Sequence, residues 1–176
     1  GALMLFSTVY GYKYYINDQH VLKLLAYHRN GSWVRLMVES DKIDKRYFPL
    51  DDTSTPIDWY RGVANYSLKK TDKAFANFIS AFEHNPNHVH VLNNLATLYQ
   101  LNGINDKAIE LFNRAISIAP KFIDPVINLS AIYYNKGDYE NSLKTIRQID
   151  YDKNDPRLVF YLNRIDSMMS KHDKKY

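Results

Sequence analysis

The sequence repeats with a period of 34 residues, and this limits the fold more than any other feature. Between two lines of sequence, Leu95 pairs with Leu129, Ala96 with Ser130, Tyr99 with Tyr133, Gly103 with Gly137, Ala108 with Ser142 and Phe112 with Ile146. One step back, Gly62, Ala74, Phe78, Ala81 and Pro86 fall under Ala96, Ala108, Phe112, Ala115 and Pro120. Small, small, large apolar, small and Pro recur at fixed offsets. A unit this short cannot bury its own apolar face, so the copies must stack on one another.

Each copy reads as two helices. In the middle one, Val91, Leu92, Leu95, Leu98 and Tyr99 recur at helical spacing, followed by Ala108, Ile109, Phe112, Ala115 and Ile116. Gly103 stands where a left-handed cap ends the first helix. Asn105 is expected to cap the second helix and Pro120 to stop it. Ala96 and Ala108 mark where two helix backbones approach within about 8–10 Å, which needs small side chains. Thr55-Pro56-Ile57-Asp58 reads as a capping box with Pro at the first helical position. Asp155-Pro156 is expected to start a last helix, Arg157 to about Ser170, with Leu158, Tyr161, Leu162 and Ile165 on one face. Upstream, 18–29 and 32–45 read as a degenerate helix pair around Asn30-Gly31, and Arg46 to Ser54 as a loop.

Composition agrees with helices. Only 6 Gly and 6 Pro occur in 176 residues, too few for the tight turns of a many-stranded sheet protein. A hydrophobic share of 45% excludes wholesale disorder. With no Cys there is no disulfide framework, thiolate metal site or cysteine nucleophile. The net charge of +4 is far from the clustered charge of a nucleic-acid binder, and no nucleic-acid partner is expected. Tyr occurs 15 times and suits surfaces half buried and half wet.

These residues resemble the tetratricopeptide repeat, a 34-residue helix–turn–helix unit. The middle copy carries Leu95, Ala96, Tyr99, Gly103, Ala108, Phe112, Ala115 and Pro120. The third departs at Ser142, Ile149 and Asn154, and the first at Arg61, Asn65 and Lys69. The expected fold is all-α: a right-handed α-solenoid of antiparallel helix pairs, with about nine helices. The expected division is a degenerate pair and loop over 1–54, three repeats over 55–88, 89–122 and 123–154, and a capping helix with a basic tail over 155–176.

The chemistry-bearing signals are few. His84, His88 and His90 crowd one junction, but Pro86 breaks the segment and no carboxylate has helpful spacing, so no metal is expected. Asp150-Tyr151-Asp152-Lys153-Asn154 begins like a calcium loop, but Asp155 replaces its Gly and Tyr161 its final Glu. No phosphate loop, nucleophile elbow or HExxH occurs. The chain is therefore expected to be no enzyme and to need no cofactor. The basic tail, Lys171 to Lys175, reads as a solvated end.

The resemblance implies a concave groove lined by the first helix of each pair. Its aligned positions here are Trp59, Tyr60, Val63 and Tyr66; His90, Asn93, Asn94, Thr97 and Gln100; and Ile127, Asn128 and Tyr134. Asn94 and Asn128, 34 apart, project alike, and an Asn amide both donates to and accepts from a peptide backbone. The alternative is that these amides bond only to neighbouring turns or water. Clamp repeats that grip a terminal carboxylate place Lys and Arg where Trp59, Asn93 and Ile127 stand, so that mode is not expected. The expected partner is a protein or peptide, with a glycan held by Trp59, Tyr60 and Tyr66 as an alternative.

The start of the chain, Gly1-Ala2-Leu3-Met4, is read as the beginning of an excised fragment. Leu3 to Tyr10 is uncharged and too short to span a bilayer. It reads either as one face of a buried helix or as the tail of a transmembrane helix cut away upstream. Gly31-Ser32-Trp33, Tyr47-Phe48-Pro49-Leu50-Asp51, Thr55 to Gly62, Leu92 to Ala96 and Asn128-Leu129-Ser130 are similar to the tail of bacterial O-antigen ligase or polymerase family membrane proteins. That likeness implies a docking module beside the inner membrane, reached only through the missing segment. A stand-alone cytoplasmic adaptor is the alternative.

Overall fold

The computed structural model describes residues 2–147 and 155–173, all of whose regular elements are helices apart from one isolated bridge between Leu50 and Pro56. The nine helices among the described residues are α1 (Ala2–Arg29), α2 (Trp33–Ser40), α3 (Ile57–Ser67), α4 (Thr71–His84), α5 (Val89–Leu101), α6 (Asn105–Ile118), α7 (Ile123–Asn135), α8 (Tyr139–Arg147) and α9 (Pro156–Asp173). They form two compact units, Gly1–Pro86 and Asn87–Tyr176.

The turn inside each helix pair is built the same way. Lys69, Gly103 and Gly137 have φ of 62°, 74° and 78°, the left-handed region. The amide after each donates back to a carbonyl five residues earlier: Lys70 to Asn65 at 2.8 Å, Ile104 to Tyr99 at 2.9 Å and Asp138 to Tyr133 at 2.9 Å. This is the Schellman closure, which satisfies carbonyls a helix end would otherwise leave bare.

The small residues at equivalent positions of each pair are all buried: Gly62 and Ala74 in α3–α4, Ala96 and Ala108 in α5–α6, and Ser130 and Ser142 in α7–α8. Phe78, Phe112 and Ile146 fill the adjacent space, each 2% exposed or less. Ser130 and Ser142 satisfy each other. Their hydroxyls lie 2.8 Å apart, and each hydroxyl also reaches the other's carbonyl oxygen, at 3.1 and 2.9 Å.

In the first unit, Leu24 of α1, Leu36 of α2, Ile43, and Ile57, Tyr60 and Ala64 of α3 make one core. Two buried carboxylates tie the unit together. Glu39 takes hydrogen bonds from His20 and Lys42 at 2.7 and 2.9 Å. Asp58 takes them from Lys45 and Ser80 at 2.6 and 2.8 Å. In the second unit, Val126 and Ile127 of α7, Leu143 and Ile146 of α8, and Leu158 and Ile165 of α9 are the core, with Tyr161 and Leu162 packed against it.

Several local expectations change. Helix α1 is continuous from Ala2, rather than starting near residue 18, and α2 ends at Ser40. Of the uncharged start, Thr8, Val9 and Tyr10 are exposed, and the side chains before them lie outside those described. Helix α3 begins at Ile57, with no side-chain cap at Pro56. The carboxylate half of the expected capping box is replaced: Asp58 turns to Lys45 and Ser80, and the Thr55 amide donates to Asp51 at 2.9 Å. Asn105 is the first residue inside α6 rather than its cap. Asp155 does cap α9, accepting the Arg157 amide at 2.9 Å. The calcium-like run 150–154, Ile149 and the end of the basic tail lie outside the described residues.

Candidate functional site

In the second unit, α5 and α7 turn apolar residues inward and leave a strip of amides. Val91, Leu92, Leu95 and Leu98 are buried in the core. Between those inward positions, helical spacing puts Asn93, Asn94 and Thr97 on the remaining arc of α5, opposite Asn128 of α7.

The amides are wired to one another. Asn93 is 8% exposed and sits at the centre. Its amide nitrogen donates to the Asn94 oxygen at 3.3 Å. Its oxygen accepts from the Asn128 nitrogen at 3.1 Å, and that nitrogen also approaches the Thr97 hydroxyl at 3.5 Å. Thr97 donates to the Asn93 carbonyl at 2.8 Å. Two groups remain without a partner among the described residues: the Asn94 amide nitrogen and the Asn128 amide oxygen. One is a donor and the other an acceptor, and both residues are half-buried.

The other expected lining residues differ in exposure. Ile127 is 8% exposed and belongs to the core. Tyr134 is half-buried; its hydroxyl accepts from Arg164 of α9 at 3.2 Å, and the guanidinium lies 5.3 Å from its ring. Gln100 is half-buried and His90 reaches solvent. The His90 ring packs 4.8 Å from Phe122. Desolvation lowers its pKa below the ordinary 6.5, opposed in part by the Asp124 carboxylate.

In the first unit, Tyr60 is a core residue at 5% exposure, with its hydroxyl donating to Asp51 at 2.7 Å. Burial, and then the Asp51 carboxylate, push that phenol far above its ordinary pKa. Trp59 packs 4.9 Å from Tyr60 and 5.3 Å from His28, measured between ring centres. Val63 is half-buried and Tyr66 is 43% exposed. Tyr60 is thus corrected from a lining residue to a core residue, because its phenol finds its acceptor inside the fold. Arg164 was not legible as a neighbour of Tyr134: no period relates α9 to the repeats.

No group of three or more His, Asp or Glu side chains among the described residues is placed to hold a metal. His84 bonds instead to the Ser80 carbonyl oxygen at 2.8 Å. No described helix is long and apolar enough to cross a membrane.

Residues 89–122, the α5–α6 pair, match the tetratricopeptide repeat family. The fold is that of proteins built from this repeat. A tetratricopeptide repeat protein from Parabacteroides merdae superposes with a TM-score of 0.71 at 16% identity, over 89% of this chain and 61% of that one. This chain therefore spans less than two thirds of that relative. MamA superposes with a TM-score of 0.67 at 14% identity, over 90% of each chain. The first repeat domain of Spaghetti (RPAP3), solved with the HSP90 peptide SRMEEVD, superposes with a TM-score of 0.60 at 14% identity, over 70% of this chain and 98% of that one. No curated protein matches the sequence.

Proposed function

We propose that this chain is a non-catalytic scaffold that holds an extended peptide segment of a partner protein along α5 and α7. The observation that carries this reading is the donor and the acceptor that Asn94 and Asn128 leave unused by the fold, held in place by Asn93 and Thr97. A half-buried amide held by its neighbours loses little freedom on binding. It grips backbone rather than side chains, so it does not by itself read sequence. His90, Gln100 and Tyr134 border the strip and would set side-chain preference. The peptide in the RPAP3 complex supports the reading by showing what one protein of this fold does. The three-repeat division given above is part of the same proposal.

The test is a peptide array probed with the full chain, followed by titration of the strongest sequence. Asn94→Ala combined with Asn128→Ala should weaken that binding by about 1–3 kcal/mol. Unchanged affinity retires the site. A glycan array run in parallel tests the alternative ligand, which the burial of Tyr60 disfavours.

The finer reading is that this module is the accessory docking domain of a bacterial inner-membrane protein of O-antigen ligase or polymerase type. It rests on the sequence likeness of the segments Gly31 to Trp33, Tyr47 to Asp51, Thr55 to Gly62, Leu92 to Ala96 and Asn128 to Ser130. The glycan chemistry would then belong to the rest of the parent. Fractionation of the parent protein decides it: recovery outside the membrane fraction favours a stand-alone adaptor.

A further inference from the structure

We propose that residues 9–15 of α1 form an aromatic collar that sits in the headgroup region of a phospholipid bilayer. The peptide-binding reading rests on α5 and α7, so the two stand or fall separately. The collar also goes beyond a membrane-bound parent, since it assigns bilayer contact to this chain's own residues.

The first observation is where the exposure lies. Val9, Tyr10, Tyr12, Tyr14 and Tyr15 are each 49–66% exposed. An α-helix turns about 100° per residue, so Tyr14, Tyr15, Tyr12 and Val9 stand about 40°, 140°, 200° and 260° around the axis from Tyr10. They encircle the helix. A protein partner covers a stripe, typically a third of the circumference, and leaves Tyr12 bare when it covers Tyr14. An environment that surrounds the helix covers all of them.

The second observation is chemical. No charged side chain occurs from Ala2 to Tyr12; Lys13 is the first, and Asp18 is the first acid. Tyrosine has an apolar ring and a polar tip, which fits the boundary between acyl chains and water better than either side. A soluble surface would favour charge here, and a protein core would favour Leu.

The third observation comes from outside α1. The loop after α2 brings Phe48 to 6.5 Å from Tyr10 and 5.7 Å from Tyr14, ring centre to ring centre. Beside it, the Tyr47 ring is flanked by the Lys13 ammonium at 5.9 Å and the Arg46 guanidinium at 5.7 Å. Arg46 is paired with the Asp44 carboxylate at 2.8 Å, so Lys13 is the cation at the level of the collar, where lipid phosphates would be. Cations beside exposed aromatic rings complement an anionic bilayer surface.

The experiment uses the full chain with vesicles of phosphatidylcholine, with and without phosphatidylglycerol, in a flotation assay. The wild type should float with the vesicles, more strongly when phosphatidylglycerol is present. Tyr10→Ser, Tyr12→Ser, Tyr14→Ser and Tyr15→Ser together should lower partitioning by about tenfold or more. Tyr12→Ser with Tyr15→Ser, which spares the two rings against Phe48, is the variant to use should the quadruple change alter the melting curve. Three results overturn the proposal: wild type that does not float, serine variants that float equally well, or light scattering that shows these tyrosines closing a dimer with no vesicle binding.

Discussion

Lys69 occupies the position that glycine holds in the two later copies, and it adopts the same left-handed backbone at φ 62°. A side chain there costs about 1–2 kcal/mol, partly offset because glycine loses more freedom on folding. Lys69→Gly should therefore raise stability by about 0.5–1 kcal/mol in a denaturant melt. Gly62 predicts the opposite sign. A Cβ built there would lie 2.5 Å from Phe78 Cδ1, inside contact distance. Displacing that buried ring costs roughly 1–3 kcal/mol, more than the gain of about 1 kcal/mol from better helix propensity. Gly62→Ala should lower the melting temperature, and a rise would show that α3 and α4 can move apart freely.

At the scale of helix pairs, Ser130 and Ser142 show how a departure from the repeat pattern is accommodated. Both stand where the middle copy has alanine, and each hydroxyl gives the other a partner. Either single change to Ala removes the contact between the hydroxyls but leaves the other hydroxyl its carbonyl acceptor, at a cost of about 0.5–1.5 kcal/mol. The double change restores the Ala96/Ala108 pattern and should cost less than the sum of the two singles. Strict additivity in that double-mutant cycle would mean the hydroxyls do not support each other. Pairing of this kind explains what was legible in the sequence. Gly103, Gly137, Phe112 and Ala115 follow from steric rules that a 34-residue period exposes, so the helices and their turns could be read. Asn105 and Asp58 could not be read from their local context. Whether a polar side chain caps its own helix or reaches across the fold depends on what the fold brings near. Asp58 finds Lys45 and Ser80, 13 and 22 residues away. The amide strip is half legible: the 34-residue spacing relates Asn94 to Asn128, but the bond from Asn128 to Asn93 arises only where the fold brings α5 and α7 together.

Over the whole molecule, the buried Glu39 carboxylate contributes to the response to acid. Burial alone would push the Glu39 carboxyl up, but hydrogen bonds from Lys42 and His20 more than offset this and hold it below its ordinary 4.5. A carboxyl depressed in the folded state stabilises the fold at pH above its unfolded value. That contribution disappears as pH falls below about 4.5 through the folded value. Stability followed by circular dichroism should drop in that window, and less steeply in Glu39→Gln. Equal slopes would mean that the pairing contributes nothing. A mechanical consequence follows from α1. It runs unbroken to Arg29 and joins the core of the first unit through Leu24. At 1.5 Å per residue, the stretch from Tyr15 to Arg29 makes a rod of about 21 Å. Whatever grips the first turns of α1 therefore holds that unit as a lever arm, at a set height and bearing, rather than as a weight on a slack tether.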